Sequence, residues 1–404
     1  MSSLLAAVAC SLCGASEHAT IYRRELELGK PLGRYPLRLQ QCAACGFVYT
    51  SPRARREVLE AHYRSAFHAS GGVWHEPGPG GRHARLTAER AAFVLERAAA
   101  ARHGKLLDVG SGAGALLTLL ASSTEWELSG LEPCAATAEA SRARGLPVRA
   151  ERLEDATFQP GSFDVVTCVS CLEHFWDPAE AMRALTRLVR EGGRLVAEVP
   201  DSTRPKAHVA EFFSFEHLSH FTISTLERFL AVHDLETEHW ERTSIDNLRV
   251  VAVKRSAGAT PRIADDRQDV RRAITAYAHE RARFESRLRE RLAPRIEEWA
   301  RQGTRVAIYG AGEHTRYLME LLPLDTLVAW ILDSDPQKHG SHFLGRPVHA
   351  PEDAPRLGAG AVVVSSRPYQ EEMVRRMEPV AARYGIEVLR CYSLEEARAA
   401  AAIR

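Results

Sequence analysis

Apolar and polar positions along this chain follow two rhythms, and the change from one to the other marks its elements. Short strand-like stretches stand at 106–109, 128–131, 148–153, 163–169 and 193–199, most of them rich in apolar residues, and stretches with apolar residues three and four apart fall between them. Runs of that length bounded by turn residues predict strands, and the wider spacing predicts helices. Residues 235–242 and 248–254 predict a closing strand pair. Seven strands in turn with helices mean an α/β fold, a doubly wound and mostly parallel sheet that takes ligands at the carboxyl ends of its strands. A smaller round of the same pattern opens at Arg305-Val306-Ala307-Ile308-Tyr309-Gly310-Ala311-Gly312 and continues at 328–332, ending in Asp333, and at 361–365.

Outside these rounds the pattern is sparser. Residues 21–28 and 37–40 predict short strands, 53–67 a helix, and 85–102 an Ala-rich helix. The Gly and Pro content of 69–81 predicts a loop. Tyr63, Trp74 and His75 are candidates to line a site there, although a packed connector is the plainer expectation. Residues 263–301 predict a charged helix with Val270, Ile274, Tyr277, Phe284 and Leu288 on one buried stripe. Pro294 should break or kink it. The Arg and Glu mixture of that helix suits a solvated face with i,i+4 pairs.

Composition narrows the classes. At 404 residues the chain has room for two or three domains, with 45% apolar and 26% charged residues, ordinary for a globular protein. No apolar run is long enough to span a bilayer. The apolar start at 1–9 lacks a basic n-region, which disfavours a signal peptide. A formal net charge of +1 supplies no long-range attraction to nucleic acid or anionic membrane. Four of the eight cysteines form two C-x-x-C pairs, which favours a reducing cytoplasm and a bound metal over a disulfide framework.

Those pairs are Cys10-x-x-Cys13 and Cys42-x-x-Cys45, each followed at once by a glycine, Gly14 and Gly46. Two tight turns can bring four thiolates onto one tetrahedral Zn²⁺. A redox dithiol is the competitor, and it would need a separate explanation for each pair. A closed four-sulfur shell leaves no open position, so the expected zinc is structural.

The stretch Leu106-Leu107-Asp108-Val109-Gly110-Ser111-Gly112-Ala113-Gly114 ends a predicted strand in a glycine-rich turn that opens a helix at Ala115. Glycines there let the backbone approach a ligand closely. Gly110-x-Gly112-x-x-Ala115 also fits the looser dinucleotide fingerprint, so this stretch alone does not settle the cofactor. In the second round Gly310-x-Gly312 could offer N–H groups to a phosphate. Thr315 stands where a third Gly or Ala is expected, which speaks against NAD.

Around the first loop the chain resembles the class I S-adenosylmethionine-dependent methyltransferases. The matching residues are Asp108 to Gly114, Glu132, Glu154-Asp155, Gly161-Ser162-Phe163-Asp164-Val165-Val166, Leu172-Glu173-His174 and Gly192-Gly193-Arg194-Leu195. The resemblance implies that Asp108, Gly110, Gly112 and Gly114 cradle the methionine and ribose parts of S-adenosylmethionine. Glu132 would accept from both ribose hydroxyls, and Leu153, Glu154 and Asp155 would flank the adenine. The order of parts resembles the sugar C-methyltransferases, which methylate a carbon of a nucleotide-linked 4-keto-6-deoxy sugar. It implies a zinc ribbon and connecting helix at 1–65, a methyltransferase domain at 66–256, a helical connector at 257–302 and a Rossmann-like domain at 303–404. The last is expected to close over the acceptor or its diphosphate.

In that family a Glu-His pair after the fifth strand supplies acid-base chemistry, and Phe213-Ser214-Phe215-Glu216-His217 falls there. The family carries a tyrosine two residues before the Glu, where this chain has Ser214. A histidine after the fourth strand is also implicated, and His174 matches it. A carbon nucleophile needs a base to take the proton beside the ketone and a donor for the enolate oxygen. His217 is the expected base, Glu216 its orienting or proton-sharing partner, and His174 the donor. A hydroxyl acceptor would use the same base, so these residues do not separate C- from O-methylation. The bland alternative for Glu216-His217 is a helix-entry pair with capping duties only, and for His174 packing beneath the cofactor. Two other classes compete. A zinc-ribbon RNA methyltransferase lacks support in the balanced charge, and no basic stripe interleaved with aromatics is present. A non-catalytic scaffold would not need an intact glycine loop and ribose carboxylate.

Overall fold

Two long strands follow the first cysteine turn, β1 (His18–Glu27) and β2 (Arg34–Cys42), and the second cysteine turn joins β2 to β3 (Val48–Thr50). The computed structural model describes residues 4–28, 31–69, 82–98, 103–207, 212–255 and 265–401. Trp74 and His75 lie outside the described residues. Arg53–Ala54 pairs with Leu5–Ala6, so helix α1 (Arg56–Ala69) begins later than its apolar spacing predicts. Helix α2 (Arg82–Phe93) continues as a π-helical turn over Val94–Ala98.

The large sheet then follows in chain order. Strand β4 (Lys105–Val109) leads into α3 (Ala115–Ser123), β5 (Glu127–Leu131) into α4 (Ala135–Arg142), and β6 (Val148–Arg149) into a 3-10 turn at Leu153–Asp155. Strand β7 (Phe163–Val169) is followed by α5 (Pro178–Leu188) and β8 (Val189–Pro200). The short β9 (Ser219–His220), α6 (Ile223–Ala231), β10 (Leu235–Arg242) and β11 (Asn247–Lys254) complete the round. The sheet order is β10-β11-β8-β7-β4-β5-β6, parallel except for β11. Strand β6 is shorter than the apolar run predicts, because Leu153 earns its place by burial in the turn, not by pairing.

Alternation along the strands splits the core between the two faces of the sheet. Leu107, Val109, Val166, Cys168, Leu195 and Ala197 pack with residues of α5 and α6. Leu106, Val165, Val196 and Val251 pack with residues of α2 and α3. Each such fully buried aliphatic side chain contributes about 1.5–3 kcal/mol. Phe47, Tyr49, Cys10 and Cys42 join the first of these clusters, so the cysteine ribbon shares a core with the sheet. The ribbon sheet, ordered β9-β3-β2-β1, borrows β9 from beyond the fifth strand of the large sheet.

Helix α7 (Arg267–Gln302) runs helically through Pro294. The expected break does not occur: one missing N–H is outweighed by Leu292 before the proline and Ile296 and Trp299 after it, all buried. The structure forms two compact units, one reaching to Ala278 and the other beginning at His279. In the second unit β12 (Val306–Tyr309), α8 (Glu313–Leu321), β13 (Val328–Leu332), β14 (His342–Phe343), β15 (Arg346–His349), β16 (Ala361–Val364), α9 (Gln370–Tyr384), β17 (Glu387–Arg390) and α10 (Leu394–Ala401) follow one another. Its six-stranded sheet is ordered β14-β15-β13-β12-β16-β17, with β12, β13, β15, β16 and β17 parallel. No helix among the described residues is long and apolar enough to cross a membrane.

Candidate active site

The glycine loop sits at the carboxyl end of β4, and two of its glycines are sterically required. A Cβ on Gly110 would lie 2.7 Å from the Cys171 sulfur, and one on Gly114 would lie 2.3 Å from Leu146 Cδ1. Gly112 is different: a Cβ there would meet nothing within 4 Å, which leaves open space beside the backbone for a ligand. Glu132, just beyond β5, accepts from Gly112 N at 3.0 Å and from Cys134 N at 2.9 Å. Burial raises its carboxyl, and these two backbone donors offset part of that cost. Asp108 is buried and accepts from Thr167 Oγ1 at 2.6 Å, and burial pushes it up to about 6. Ser111 Oγ, on the same loop, is shielded from solvent with no partner among the described residues. Leu153 is buried, Glu154 half-buried and Asp155 exposed on the turn after β6. A glycine cradle with room above it, a ribose-type carboxylate and an unmet hydroxyl fit S-adenosylmethionine.

The expected acid-base residues come together. The rings of His174 and His217 lie 4.9 Å apart, centre to centre. One ligating atom each from Glu173, His174 and His217 lies within 4.8 Å of the others. His217 Nδ1 is 2.9 Å from the Phe212 carbonyl, which can only accept, so Nδ1 carries the hydrogen and Nε2 keeps its lone pair. Burial lowers the basicity of His217, which keeps the ring neutral. His174 Nδ1 lies 2.9 Å from the Tyr63 hydroxyl and 3.2 Å from the Glu216 carbonyl. The Glu216 carbonyl can only accept, whereas the Tyr63 hydroxyl can donate or accept, so His174 carries its hydrogen on Nδ1 toward the carbonyl or, with Tyr63 donating, on Nε2. Burial and the neighbouring His217 push His174 down to about 4. Beside it Glu173, buried with Oε2 unpartnered, is pushed up to about 8 by burial.

The carboxylate of Glu216 is engaged elsewhere than the sequence reading placed it. Its Oε1 is 2.5 Å from His62 Nε2, and the Phe212 carbonyl, not Glu216, orients the His217 ring. Burial alone would raise Glu216, but the His62 bond and the adjacent imidazoles hold it below its ordinary value. His62 is the residue that sequence reasoning missed. It sits mid-helix in α1, where a single polar residue in a helical period gives no signal, and its ring stacks edge-on against Phe215 at 4.9 Å.

The ribbon anchors this loop. Thr50 N donates to the Leu218 carbonyl at 2.9 Å and Thr50 Oγ1 to the His217 carbonyl at 3.0 Å. From the other side Leu218 N donates to the Glu173 carbonyl at 2.9 Å. The loop 216–218 is thus held between the ribbon and the 3-10 turn Leu172–His174.

In the ribbon, Cys10 and Cys45 sulfurs are 3.5 Å apart, as are those of Cys13 and Cys42, and all four lie within 4.8 Å of one another. Gly14 N donates to the Cys10 carbonyl and Gly46 N to the Cys42 carbonyl, with both glycines at positive φ. Tetrahedral Zn–S bonds of roughly 2.3 Å put sulfurs about 3.8 Å apart, so the donor set fits a tetrathiolate metal.

Comparison with known proteins defines the class of the parts. Residues 82–239 match the family described as Methyltransferase domain, and residues 247–389 match the one described as C-methyltransferase C-terminal domain. The chain therefore carries a methyltransferase domain of the S-adenosylmethionine-dependent class, and the region after it is similar to the C-terminal domain of C-methyltransferases. It is 35% identical over 111 residues to a ubiquinone biosynthesis O-methyltransferase of Bordetella bronchiseptica, covering 26% of this chain and 46% of that one. It is 45% identical over 98 residues to the Methylococcus capsulatus protein of that name, covering 22% and 40%. The chain spans about half the length of the curated relatives it matches. Among solved structures it is similar to a geranyl diphosphate C-methyltransferase of Streptomyces coelicolor, at 13% identity and a TM-score of 0.39, covering 49% of this chain and 97% of that one.

Proposed function

We propose that this protein transfers the methyl group of S-adenosylmethionine to a carbon of a small polar acceptor, a nucleotide-linked keto sugar. The observation that carries the reading is the pairing of two half-buried imidazoles: His217 keeps a lone pair free at Nε2, and His174, whose Nδ1 can accept from Tyr63, then offers a hydrogen at Nε2. A base and a hydrogen-bond donor side by side suit enolate formation. His217 Nε2 takes the proton from the carbon next to the ketone, and His174 donates to the developing oxyanion. The neighbouring Glu216 carboxylate then favours the charged imidazolium. Asp108, Gly110, Gly112, Gly114 and Glu132 hold the cofactor, with Leu153, Glu154 and Asp155 about its adenine. The cofactor supplies an electrophilic methyl on a sulfonium, and alignment with exclusion of water supplies much of the rate. Cys10, Cys13, Cys42 and Cys45 hold a structural Zn²⁺ that takes no part in the chemistry.

The match of residues 247–389 to a C-methyltransferase domain supports carbon as the methylated atom. The O-methyltransferase relatives support the second reading, transfer to a hydroxyl through the same His217. Replacement His217→Asn tests the base. Turnover should fall by at least about a hundredfold, with affinity for S-adenosylhomocysteine unchanged by calorimetry. Retained turnover would remove His217 as the base. Solvent deuterium appearing in unreacted acceptor separates the enolate route from O-methylation.

A further inference from the structure

Two histidines and a buried acid leave three ligating atoms in one place with no protein group to satisfy them. Each ring meets a backbone carbonyl through Nδ1: His217 meets Phe212 at 2.9 Å and His174 meets Glu216 at 3.2 Å. The nitrogen left on each ring is Nε2. His174 Nε2 lies 3.8 Å from Glu173 Oε1, beyond hydrogen-bond reach. Glu173 is 2% exposed, and its Oε2 has no hydrogen-bond partner among the described residues. Arg90, a cation that eases its charge, is already bonded to Glu198 at 2.6 Å.

The chemistry of these groups is that of a metal shell. A histidine that ligates a metal gives its other ring N–H to a carbonyl or carboxylate, which fixes the tautomer and aims the bare nitrogen at the ion. Both rings are placed for this, with His174 carrying its hydrogen on Nδ1 toward the Glu216 carbonyl. A buried carboxylate without a cation of its own costs the fold free energy, which a bound cation repays. Two imidazole nitrogens and one carboxylate oxygen suit zinc, cobalt or nickel, whereas magnesium and calcium favour oxygen alone. The three ligating atoms lie within 4.8 Å of one another. A tetrahedral ion with bonds of about 2.1 Å holds its ligands about 3.4 Å apart, so the side chains close by no more than about 1.4 Å. Three protein ligands leave a fourth position open, unlike the four sulfurs of the ribbon.

We infer that Glu173, His174 and His217 form a second metal site, for a divalent transition ion held by the two Nε2 atoms and the Glu173 carboxylate. With three ligands against four thiolates it holds its ion more weakly than the ribbon does and exchanges it while the ribbon stays loaded. The bound ion takes the lone pair with which His217 accepts a proton, so an occupied site shuts the acid-base route. That consequence rests on the proposed methyl transfer; the site itself does not.

The test adds Co²⁺ to the full chain with its ribbon loaded with zinc. One further equivalent should bind, with the weak visible bands of a nitrogen and oxygen shell and without the strong near-ultraviolet band that thiolate ligation gives cobalt. Glu173→Gln and His217→Gln should each weaken this binding by about tenfold or more. S-adenosylhomocysteine should bind both variants as it binds the wild type, which shows that they fold and separates failure here from failure of the methyltransferase reading. Turnover of the wild type should fall in step with cobalt occupancy. If no acceptor is methylated at all, the binding measurements still decide the site. No further equivalent, a thiolate band, unweakened binding by either variant, or full turnover at full occupancy overturns the inference.

Discussion

At the scale of single residues the site is governed by burial working against charge. Glu173 is pushed up to about 8 by burial, so near neutrality the folded chain holds it largely as the neutral acid. The unfolded chain ionises it near pH 4.3. The folded state therefore binds the proton more tightly, and the stability this brings is complete below about pH 4.3 and lost as pH rises through about 8. Glu173→Gln keeps the neutral shape and should flatten the fall in melting temperature between about pH 5 and about pH 8. An unaltered slope would mean that Glu173 ionises freely. The glycine loop and the acidic end at Glu132 could be read from local order, whereas Glu216 and His217 were pointed to by the family resemblance. His62 could be read from neither, since its value comes from meeting Glu216 at a sequence separation of 154.

At the scale of elements the ribbon is part of the site's support. Strand β3 takes β9 as its neighbour, and Thr50 holds the His217 and Leu218 carbonyls. Replacing Cys42 with Ser should abolish bound zinc, lower the melting temperature and reduce turnover, because the loop 216–218 loses its backing strand. Metal analysis and thermal unfolding check this, and unchanged zinc content would remove the metal from the ribbon. The cysteine spacing predicted the turns correctly, but the pairing of the ribbon with a segment beyond the fifth strand of the sheet left no trace in the pattern. A two-residue strand such as Ser219–His220 is too short to carry a period. Similarly, Pro294 looks like a break only when the buried residues of α7 on either side of it are left out of account.

At the scale of the molecule the two units each repeat a strand-turn-helix plan but differ at the turn. Glu132 receives two backbone N–H groups, whereas Asp333 also holds Lys338. Cofactor binding is therefore expected at the first loop alone. A thermal-shift panel with S-adenosylhomocysteine, NAD and thymidine diphosphate checks it, with ligand at roughly a hundredfold over its dissociation constant stabilising by about 2.7 kcal/mol. S-adenosylhomocysteine should shift the melting point and NAD should not. A shift with NAD would reopen the dinucleotide reading of the Gly310 loop.

The sequence by itself determined the α/β class, the two rounds of strand and helix, the cysteine turns and the glycine loop. Hydrophobic period and turn chemistry act over a few residues, so they are legible without a fold. Only the tertiary structure decided that Phe212 orients His217, that Tyr63 and the Glu216 carbonyl meet at Nδ1 of His174, and that His62 holds Glu216. Hydrogen bonds and desolvation depend on what the chain brings together from far apart, and no local pattern encodes that meeting.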